Sequence, residues 1–584
     1  MTPRILIAIS FSLVAALLAV GAPAQEFRPA PESASGTTEK SLVVAKRHMV
    51  VAAEPLAAEA GREMLRQGGS AVDAAIATEL VLGLVEPQSS GLGGGAFMTL
   101  WDAKSRSVIT FDGRESAPAA AKPDRFLKDG KPMKFEDAML SGLSVGVPGL
   151  VRTLYAAHEK YGKLPWAKLF EPSIKLAENG FPISPRLAVL LQSESAEKFA
   201  PEARAYFYES GVTPRAEGSL LKNPEYAASL KAIAEKGSEA FYAGPIADAI
   251  VKAIGEAPSI RGDMTTADLA SYVAKQRAPI CVGYRGRQVC GVGPPSSGAL
   301  TVGAVLKLIE PFPEVQGPSA LMTAPAIQII AEAEKLAFAD RNRYIADPDR
   351  ITVPSGLLDD AYIAERRKLI DLKKAMAKPE PGFPPGLAKK TFGNDATYEV
   401  PGTTQLSIID DDGNALSMTA TIENAFGSHL WAKGFLLNNE LTDFSFVPID
   451  ATDAAVANAV EGRKRPRSSM APTIVLGVDG SPEIVTGSPG GSQIILYVVK
   501  TLVAMLDWGL DAQQAAALTN FGSQGGPFLI EYSLPIVWPA YELTSYGQAI
   551  TGATMTSGVN TVARRNGNLE GGADPRREGV ALGD

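Results

Sequence analysis

The sequence predicts a mixed α/β protein, mainly helical in its first two-thirds and rich in strands in its last third. Helical periodicity dominates residues 148–255 and 323–370, where glycines and prolines separate the segments. Residues 376–402 are rich in proline and glycine and predict an exposed, irregular linker. The elements predicted after this linker are strands at 403–410, 414–422, 472–478 and 483–487 and a helix over about 491–507.

The first 24 residues have the features of a secretory signal peptide. Arg4 supplies a positive charge, residues 5–20 form an apolar core, and Ala22-Pro23-Ala24 is a cleavage site of small residues. A retained membrane anchor is the alternative, but the apolar run is short for a membrane span. The sequence therefore predicts a mature protein that begins at residue 25, is secreted to the periplasm and has no stable insertion in the membrane.

The α/β pattern starts soon after this leader. A strand at 49–51 leads into a helix over about 56–67. Ser70, with Asp73 three residues later, predicts a capping box at the start of the next helix. That helix, 72–85, is almost wholly apolar, so we expect it to be buried.

The composition excludes several classes of function. With 584 residues, 46% of them apolar, the chain can bury a large core. A net charge of −8 and a pI of about 5.3 argue against a nucleic-acid partner. Two cysteines with no histidine nearby do not form a zinc pattern, and nothing in the sequence requires a metal or an organic cofactor.

Cys281 and Cys290 flank a predicted β-hairpin with the two-residue turn Arg285-Gly286. In that register the cysteines face each other at a non-hydrogen-bonded pair, where Cα atoms approach most closely. Because an exported protein meets an oxidising environment, a cross-strand disulfide is one prediction. Two small buried thiols are the alternative, and the sequence leaves both open.

The most informative stretch begins at Gly402. This glycine precedes Thr403 and Thr404, which open an alternating strand that runs to the acidic turn 410–414. The pattern is typical of a chain that cuts itself before a threonine and then uses that threonine as an N-terminal nucleophile. A threonine hydroxyl needs an adjacent base. The freed α-amine, with a pKa of about 7.7–8.0, can be that base without any histidine.

Two other motifs suggest different chemistry and are rejected. Residues 91–96 resemble a dinucleotide-binding loop, but they follow a helix and precede a strand, the reverse of the order that such a loop requires. Residues 142–146 fit the Gly-x-Ser-x-Gly elbow of serine hydrolases. However, no clean strand precedes Ser144, and the last histidine of the chain is His429.

A series of motifs, in this order and at this spacing, resembles the gamma-glutamyltransferase (gamma-glutamyltranspeptidase) family of N-terminal-nucleophile hydrolases. The motifs are Gln67-Gly-Gly-Ser-Ala-Val-Asp-Ala-Ala75, Ser90-Gly-Leu-Gly-Gly-Gly-Ala-Phe-Met98, Asp112-Gly-Arg114-Glu-Ser-Ala-Pro118, Ser144-Val-Gly-Val-Pro-Gly149, Pro294-Pro-Ser-Ser-Gly298, Ala331-Glu-Ala-Glu-Lys335 with Ala339-Asp-Arg341, Leu437-Asn-Asn-Glu-Leu-Thr-Asp443, Arg465-Pro-Arg-Ser468-Ser469-Met, Thr486-Gly-Ser-Pro-Gly490-Gly491-Ser492 and Ala573-Asp-Pro-Arg576. The resemblance covers almost the whole chain.

The resemblance implies a four-layer αββα sandwich of the α+β type, made as one precursor and cut by itself into two subunits. The cut lies between Gly402 and Thr403, which gives a large subunit of residues 25–402 and a small catalytic subunit of residues 403–584. The two subunits are expected to stay packed together as one catalytic unit.

The resemblance also implies the residues of the site. Thr403 is the nucleophile, Thr421 orients it, and the backbone N–H groups of Gly490 and Gly491 form the oxyanion hole. The residues implied in substrate binding are Arg114, Ser468 and Ser469 for the α-carboxylate and Glu423, Glu440 and Asp443 for the α-ammonium. The partners are a small γ-glutamyl substrate such as glutathione and an amine acceptor.

The chain also departs from the family pattern. Gln405 replaces a common histidine, and Glu423 and Glu440 stand where other members have Asn and Gln. Acidic residues at both places should strengthen binding to an ammonium group and disfavour a purely anionic acyl group. The branch of the family that contains glutaryl-cephalosporin acylases is nevertheless also similar in pattern, and those enzymes accept an acyl group without the amine, so an amide acylase of the same fold is the first alternative. A catalytically silent binding protein is the second. Residues 444–467 replace the family's lid, and the sequence does not say whether they cover the pocket.

Overall fold

The computed structural model describes most of the chain. The described residues are 36–387, 392–395, 397, 399, 402–533 and 536–584. The predicted signal peptide, residues 1–24, lies outside them.

Two seven-stranded antiparallel sheets form the centre of the molecule. Sheet 1 contains, in spatial order, the strands Lys275–Arg277, Ser107–Gly113, Gly95–Asp102, Ala415–Thr421, Thr403–Ile409, Met49–Ala52 and Val580–Gly583. Sheet 2 contains, also in spatial order, the strands Val43–Ala45, Asn568–Ala573, Asn560–Arg565, Pro482–Gly487, Thr473–Leu476, Arg287–Val292 and Pro279–Tyr284.

The two sheets pack face to face through apolar side chains of both. Met49, Trp101 and Ile409 of sheet 1 meet Val485 and Val562 of sheet 2 in one buried cluster. The opposite face of each sheet carries a second, larger cluster that it shares with helices. The order is therefore helices, sheet 1, sheet 2, helices, and the predicted αββα sandwich is confirmed.

Two groups of helices make the outer layers. Sheet 1 is covered by Pro55–Arg66, Ala71–Val85, Leu150–Tyr161, Glu171–Asn179, Pro185–Ser193, Pro201–Phe207, Pro224–Lys236, Glu239–Tyr242, Pro245–Gly255 and Thr266–Ala270. Sheet 2 is covered by Gly298–Ile309, Ala324–Tyr344, Asp360–Arg367, Ile494–Leu506, Ala512–Ala517 and Val537–Ser545. None of the helices in the described ranges is long and apolar enough to cross a bilayer.

The first predicted elements lie where the pattern indicates. The strand Met49–Ala52 precedes the helix Pro55–Arg66. Ser70 caps the next helix, since its hydroxyl accepts a hydrogen bond from the N–H of Asp73 while the Asp73 carboxylate accepts from the N–H of Ser70. Every residue of the helix Ala71–Val85 is buried, so the prediction from its apolar sequence is confirmed.

The two predicted hairpins are also confirmed. Thr403–Ile409 pairs with Ala415–Thr421 around the acidic turn, and this pair is called the central hairpin below. A disulfide joins Cys281 and Cys290, which are direct partners in the antiparallel pair Pro279–Tyr284 and Arg287–Val292. Of the two alternatives left open for these cysteines, the structure therefore has the disulfide.

The prediction of an exposed linker at 376–402 is only partly correct. Residues 376–387 are irregular and mostly accessible, as expected. Asp395 and Glu399, in contrast, are buried, with 5% and 3% of their surface exposed. Their carboxylates pair with arginines from distant parts of the chain, which the local content of Pro and Gly does not reveal.

Candidate active site

Thr403 begins its strand directly opposite Thr421, the last residue of the paired strand. The Thr403 hydroxyl donates a hydrogen bond to Thr421 Oγ1 at 3.3 Å. The Thr421 hydroxyl in turn donates to the carbonyl oxygen of Gly402 at 2.6 Å. The two hydroxyls thus form a hydrogen-bonded chain that ends on the carbonyl group of the predicted scissile bond.

The backbone around Gly402 is tightly confined. A Cβ atom at this position would lie 2.0 Å from the carbonyl oxygen of Glu423, so only glycine fits. Glu423 itself has a φ of 76°, which turns the chain sharply after the strand. Its N–H donates to Thr421 Oγ1 at 2.8 Å, and this contact fixes the position of the threonine hydroxyl.

Gly490 and Gly491 form the turn before the buried helix Ile494–Leu506. Their φ angles are 140° and 56°, which side chains rarely adopt. A Cβ at Gly490 would also lie 2.6 Å from Cε2 of Tyr497. Gly491 lies in the wall of the cavity next to Thr403 and Gly490 directly precedes it, where N–H groups can face a developing oxyanion.

Arg114 lies among acidic side chains and is itself buried. Its Nη1 donates to Glu440, and its Nη2 donates to Asp443 and, at 2.7 Å, to the carbonyl oxygen of Arg467. Burial alone would lower the pKa of Arg114, but Glu440 and Asp443 raise it overall. The residues predicted for the two ends of a zwitterionic substrate are thus adjacent, and in this structure they pair with one another.

Glu115 adds a third carboxyl group to this cluster, and the sequence motifs predicted no function for it. Burial raises its pKa to about 8, and the side chain of Glu440 lies beside it. One arginine therefore faces Glu115, Glu440 and Asp443, and we expect Glu115 to be protonated at neutral pH.

Ser468 and Ser469 have different surroundings. The Ser468 hydroxyl accepts a hydrogen bond from the N–H of Met470 at 3.1 Å. The Ser469 hydroxyl donates to the carboxylate of Glu399 and accepts from Arg341 Nη2. Arg341 belongs to a motif that carried the family resemblance, although no function was predicted for it. Nothing in the sequence around Glu399 indicated a buried position.

A small cavity joins these groups. Its volume is about 20 Å³, and it is lined by Arg114, Glu399, Thr403, Thr421, Glu423, Glu440, Asp443, Ser468, Ser469, Met470, Gly491 and Ile494. Nine of the ten predicted catalytic and substrate-binding residues are in this lining, and the tenth, Gly490, is next to it. A space of this size holds about one water molecule. Glu399 forms part of the wall of this cavity.

Residues of the predicted lid region pack on the segment that contains Glu399. The Gly393 N–H donates to the Ala455 carbonyl oxygen at 2.9 Å, and the Asn394 N–H donates to Asp450 Oδ2 at 2.9 Å. Phe446 stacks on Phe126 with 4.6 Å between the ring centroids. The region is therefore packed against residues 393–394 and against Phe126.

Gln405 and the histidines lie away from the reacting groups. Gln405 is buried in the central hairpin, where its Oε1 accepts from the Thr419 hydroxyl at 2.6 Å and its Nε2 donates to Ser417. His48, His158 and His429 are all outside the lining of the cavity. None of the three histidines is therefore placed to act as a base for Thr403, and the use of its own amine stays a prediction.

The rejected motifs have structural positions that agree with their rejection. Ser144 is buried in a short 3₁₀ turn, and its hydroxyl donates to the carbonyl oxygens of Met139 and Ser141. The glycine-rich loop 91–96 leads from the helix Ala71–Val85 into the strand Gly95–Asp102. Within the described ranges, no group of three or more His, Cys, Asp or Glu side chains is placed to hold a metal ion.

Comparison with known proteins gives whole-chain matches. A family model described as Gamma-glutamyltranspeptidase matches residues 57–584. The glutathione hydrolase proenzyme of Escherichia coli (strain K12) is 37% identical over 561 residues, which covers 94% of each chain. The glutathione hydrolase proenzyme of Bacillus subtilis (strain 168) is 36% identical over 557 residues, 93% of this chain and 92% of the relative.

Among solved structures, the cephalosporin acylase from Bacillus halodurans superposes with a TM-score of 0.81 at 26% identity. The match covers 97% of this chain and 99% of that structure. These whole-chain matches confirm what the motifs and the fold indicate, and the chain belongs to the gamma-glutamyltranspeptidase family of N-terminal-nucleophile hydrolases.

Proposed function

We propose that the protein is an exported gamma-glutamyltransferase and glutathione hydrolase that cuts itself between Gly402 and Thr403. The observation that carries this proposal is the hydrogen-bonded chain from Thr403 through Thr421 to the Gly402 carbonyl oxygen. The large subunit is then 25–402 and the small subunit 403–584. Both cysteines belong to the large subunit, so the disulfide does not link the two.

Self-cleavage begins with attack of Thr403 Oγ1 on the carbonyl carbon of Gly402. The bond between that carbon and the Thr403 nitrogen breaks, an ester forms, and the hydroxyl proton ends on the released amine. Water then hydrolyses the ester and leaves a Gly402 carboxylate and a free Thr403 α-amine. The hydroxyl of Thr421 stabilises the negative charge on the Gly402 oxygen, because it already donates to that atom.

In the mature enzyme the Thr403 hydroxyl attacks the γ-carbonyl carbon of a γ-glutamyl amide. The Thr403 amine accepts the hydroxyl proton and passes it to the leaving amine, so a γ-glutamyl ester of Thr403 remains. Water or a second amine then attacks this ester, which gives hydrolysis or transfer. The N–H groups of Gly490 and Gly491 stabilise the oxyanion in both steps. Loss of one such donor typically slows catalysis by about 10²–10³.

The acidic cluster suits a substrate that carries an ammonium group. Glu423, Glu440 and Asp443 line the same small cavity as Thr403, and all three are buried. A cationic group that enters this cavity would compete with Arg114 for Glu440 and Asp443. The guanidinium of Arg114 would then be free to bind a carboxylate of the substrate. This exchange favours the zwitterionic head of a γ-glutamyl group over a glutaryl group.

An amide acylase for glutaryl or β-lactam side chains is the second candidate function. The similarity to a cephalosporin acylase along 97% of the chain is the observation in its favour. Rates with γ-glutamyl and glutaryl anilides separate the two, since a preference for the ammonium-bearing substrate supports the first. If neither anilide labels the protein or is turned over by it, a catalytically silent binding protein is favoured.

The first test is the intact mass of the purified protein under denaturing, reducing conditions. Two chains that match 25–402 and 403–584 are expected, and Thr403→Ala should give one uncut, inactive chain from residue 25. A Thr403→Ala protein that is still cut at this bond would contradict self-processing. The N-terminal mass, together with recovery from the periplasmic fraction, tests removal of residues 1–24 and export.

A further inference from the structure

Glu399, three residues before Gly402, lines the cavity beside Thr403. Arg341 Nη2 and the Ser469 hydroxyl donate to its carboxylate, and Arg467 Nε lies at 3.4 Å. Burial works against its charge, but Arg341 and Arg467 together lower its pKa below the usual value. Glu399 is therefore held as a carboxylate, and the residues around it form a site for that group.

The charges at this site balance only while Glu399 is present. Arg341 and Arg467 are buried, and Arg467 also pairs with Asp395 at 2.9 Å. With Asp395 and Glu399 in place, two cations face two anions. Removal of Glu399 alone leaves Arg341 without its carboxylate, and a buried unpaired charge is unfavourable. The site without Glu399 should therefore bind an anion that has the shape of the glutamate carboxylate.

We propose that Arg341, Arg467 and Ser469 form a carboxylate-binding subsite, which Glu399 fills in the uncut chain and a carboxylate of the substrate fills after Glu399 has left. Arg341 is then a specificity-determining residue of the mature enzyme, in addition to Arg114. The second half of this inference rests on the proposed function, whereas the first half does not.

Arg114 and Arg341 differ in the partners that they have in the uncut chain. Arg114 is held by Glu440 and Asp443, which belong to the small subunit and remain after the cut. Arg341 is held by Glu399, which belongs to the segment that the cut releases at one end. In the uncut chain, the carboxylate that the Ser469 hydroxyl contacts is that of Glu399, and it pairs with Arg341, whereas Arg114 pairs with Glu440 and Asp443.

The first experiment uses the uncut chain and needs no catalysis. Propionate has the shape of the side chain that Glu399→Gly removes, from Cβ to the carboxylate, and propionamide is its neutral analogue. In the Thr403→Ala/Glu399→Gly protein, we expect propionate at constant ionic strength to raise the melting temperature with an affinity at least tenfold that of propionamide. The Thr403→Ala protein, with Glu399 in place, should show no such preference.

Further substitutions in the same background assign the effect. Arg341→Gln should abolish the preference for propionate, and Ser469→Ala, which removes only a hydroxyl, should reduce it even if Arg341→Gln does not fold. Arg343→Gln is the matched control, because Arg343 lies on the same helix but contacts the amide of Asn394 rather than a carboxylate. Equal effects of propionate and propionamide, or a preference that survives both substitutions, would overturn the subsite.

The second experiment uses the mature enzyme with a γ-glutamyl anilide and with a 4-aminobutyryl anilide, which lacks only the α-carboxylate. Arg341→Gln should raise KM for the γ-glutamyl anilide at least tenfold and leave KM for the other unchanged. An equal change for both would overturn the assignment to the substrate while the propionate result stands. Absence of wild-type turnover would instead contradict the proposed function.

Discussion

The Thr421 hydroxyl has two contacts with the groups that react in the proposed self-cleavage. It accepts from Thr403 Oγ1 and donates to the Gly402 carbonyl oxygen. Thr421→Val keeps the shape of the side chain and removes both contacts. We expect self-cleavage to slow by about 10²–10³, as for loss of an oxyanion donor. The measurement is the fraction of cut chain against time on a denaturing gel.

Thr421→Ser is the control for this prediction, because it retains the hydroxyl and should cleave at a rate close to that of the wild type. If Thr421→Val also cleaves at the wild-type rate, the hydroxyl does not stabilise the oxyanion, and the N–H groups around Gly402 must do so instead.

Glu115 makes the free energy of unfolding of the protein depend on pH. Its pKa rises in the folded protein from 4.5 to about 8, because the group is buried. The folded state therefore binds a proton that the unfolded state has lost, and stability falls as pH rises from 4.5 to 8. The loss is up to about 1.4 kcal/mol for each pH unit.

The substitution Glu115→Gln removes this ionisation. We expect its melting temperature to exceed that of the wild type at pH 8–9 and the difference to shrink towards pH 5, with thermal melts as the measurement. Glu365→Gln, at an exposed site, should leave the wild-type pH dependence unchanged. A constant difference across the whole pH range would mean that Glu115 does not titrate there.

At the scale of single elements, the capping box of the helix Ala71–Val85 also connects two parts of the chain. Asp73 Oδ2 accepts from the Ser70 N–H and hydroxyl and from the N–H groups of Lys163 and Leu164. Asp73→Ala should therefore destabilise the protein by about 3 kcal/mol or more, since several buried donors lose their acceptor.

Ser70→Ala is the matched variant, because it loses the cap but keeps Asp73 as an acceptor. We expect a smaller cost of about 1 kcal/mol. Denaturant unfolding of both variants measures the difference. Equal destabilisation would show that the contacts of Asp73 with the loop after Leu150–Tyr161 contribute little.

Local sequence signals predicted the elements on which the site is built. The turn after Ile409 fixes the register of the central hairpin, so the spacing along the chain is enough to place Thr403 and Thr421 opposite each other. The run 72–85 predicted a buried helix because almost all of its residues are apolar, so every face of the helix is suited to burial. These features depend only on neighbouring residues.

The positions that sequence reasoning missed depend on distant partners. Glu399 is buried because Arg341 and Ser469 lie across from it, 58 and 70 residues away in the chain. The high pKa of Glu115 requires the exclusion of water from its carboxyl group, and the nearby charge of Asp443 raises it further. Such facts follow from tertiary packing, and a Pro- and Gly-rich segment or a single acidic residue in a motif does not reveal them.

At the scale of the whole molecule, each sheet is built from strands on both sides of the proposed cut. In sheet 1, Thr403–Ile409 and Val580–Gly583 flank Met49–Ala52, and Ala415–Thr421 pairs with Gly95–Asp102. In sheet 2, strands of residues 473–573 lie between Val43–Ala45 and Arg287–Val292. The two subunits therefore share backbone ladders as well as a core.

This interleaving predicts how the mature protein comes apart. Separation of the chains would break five strand ladders and expose the cluster between the sheets, so dissociation requires unfolding of both. We expect the cut protein to elute as one species that contains both chains, and both chains to unfold together in a single denaturant transition. Reduction should not change this, because the disulfide is internal to the large subunit.

Size-exclusion chromatography across a urea series is the measurement. The uncut Thr403→Ala protein, which has the same ladders, is its control. Release of a folded 403–584 chain at urea concentrations that leave the large subunit intact would contradict a shared fold, because it would require each sheet to survive the loss of its central strands.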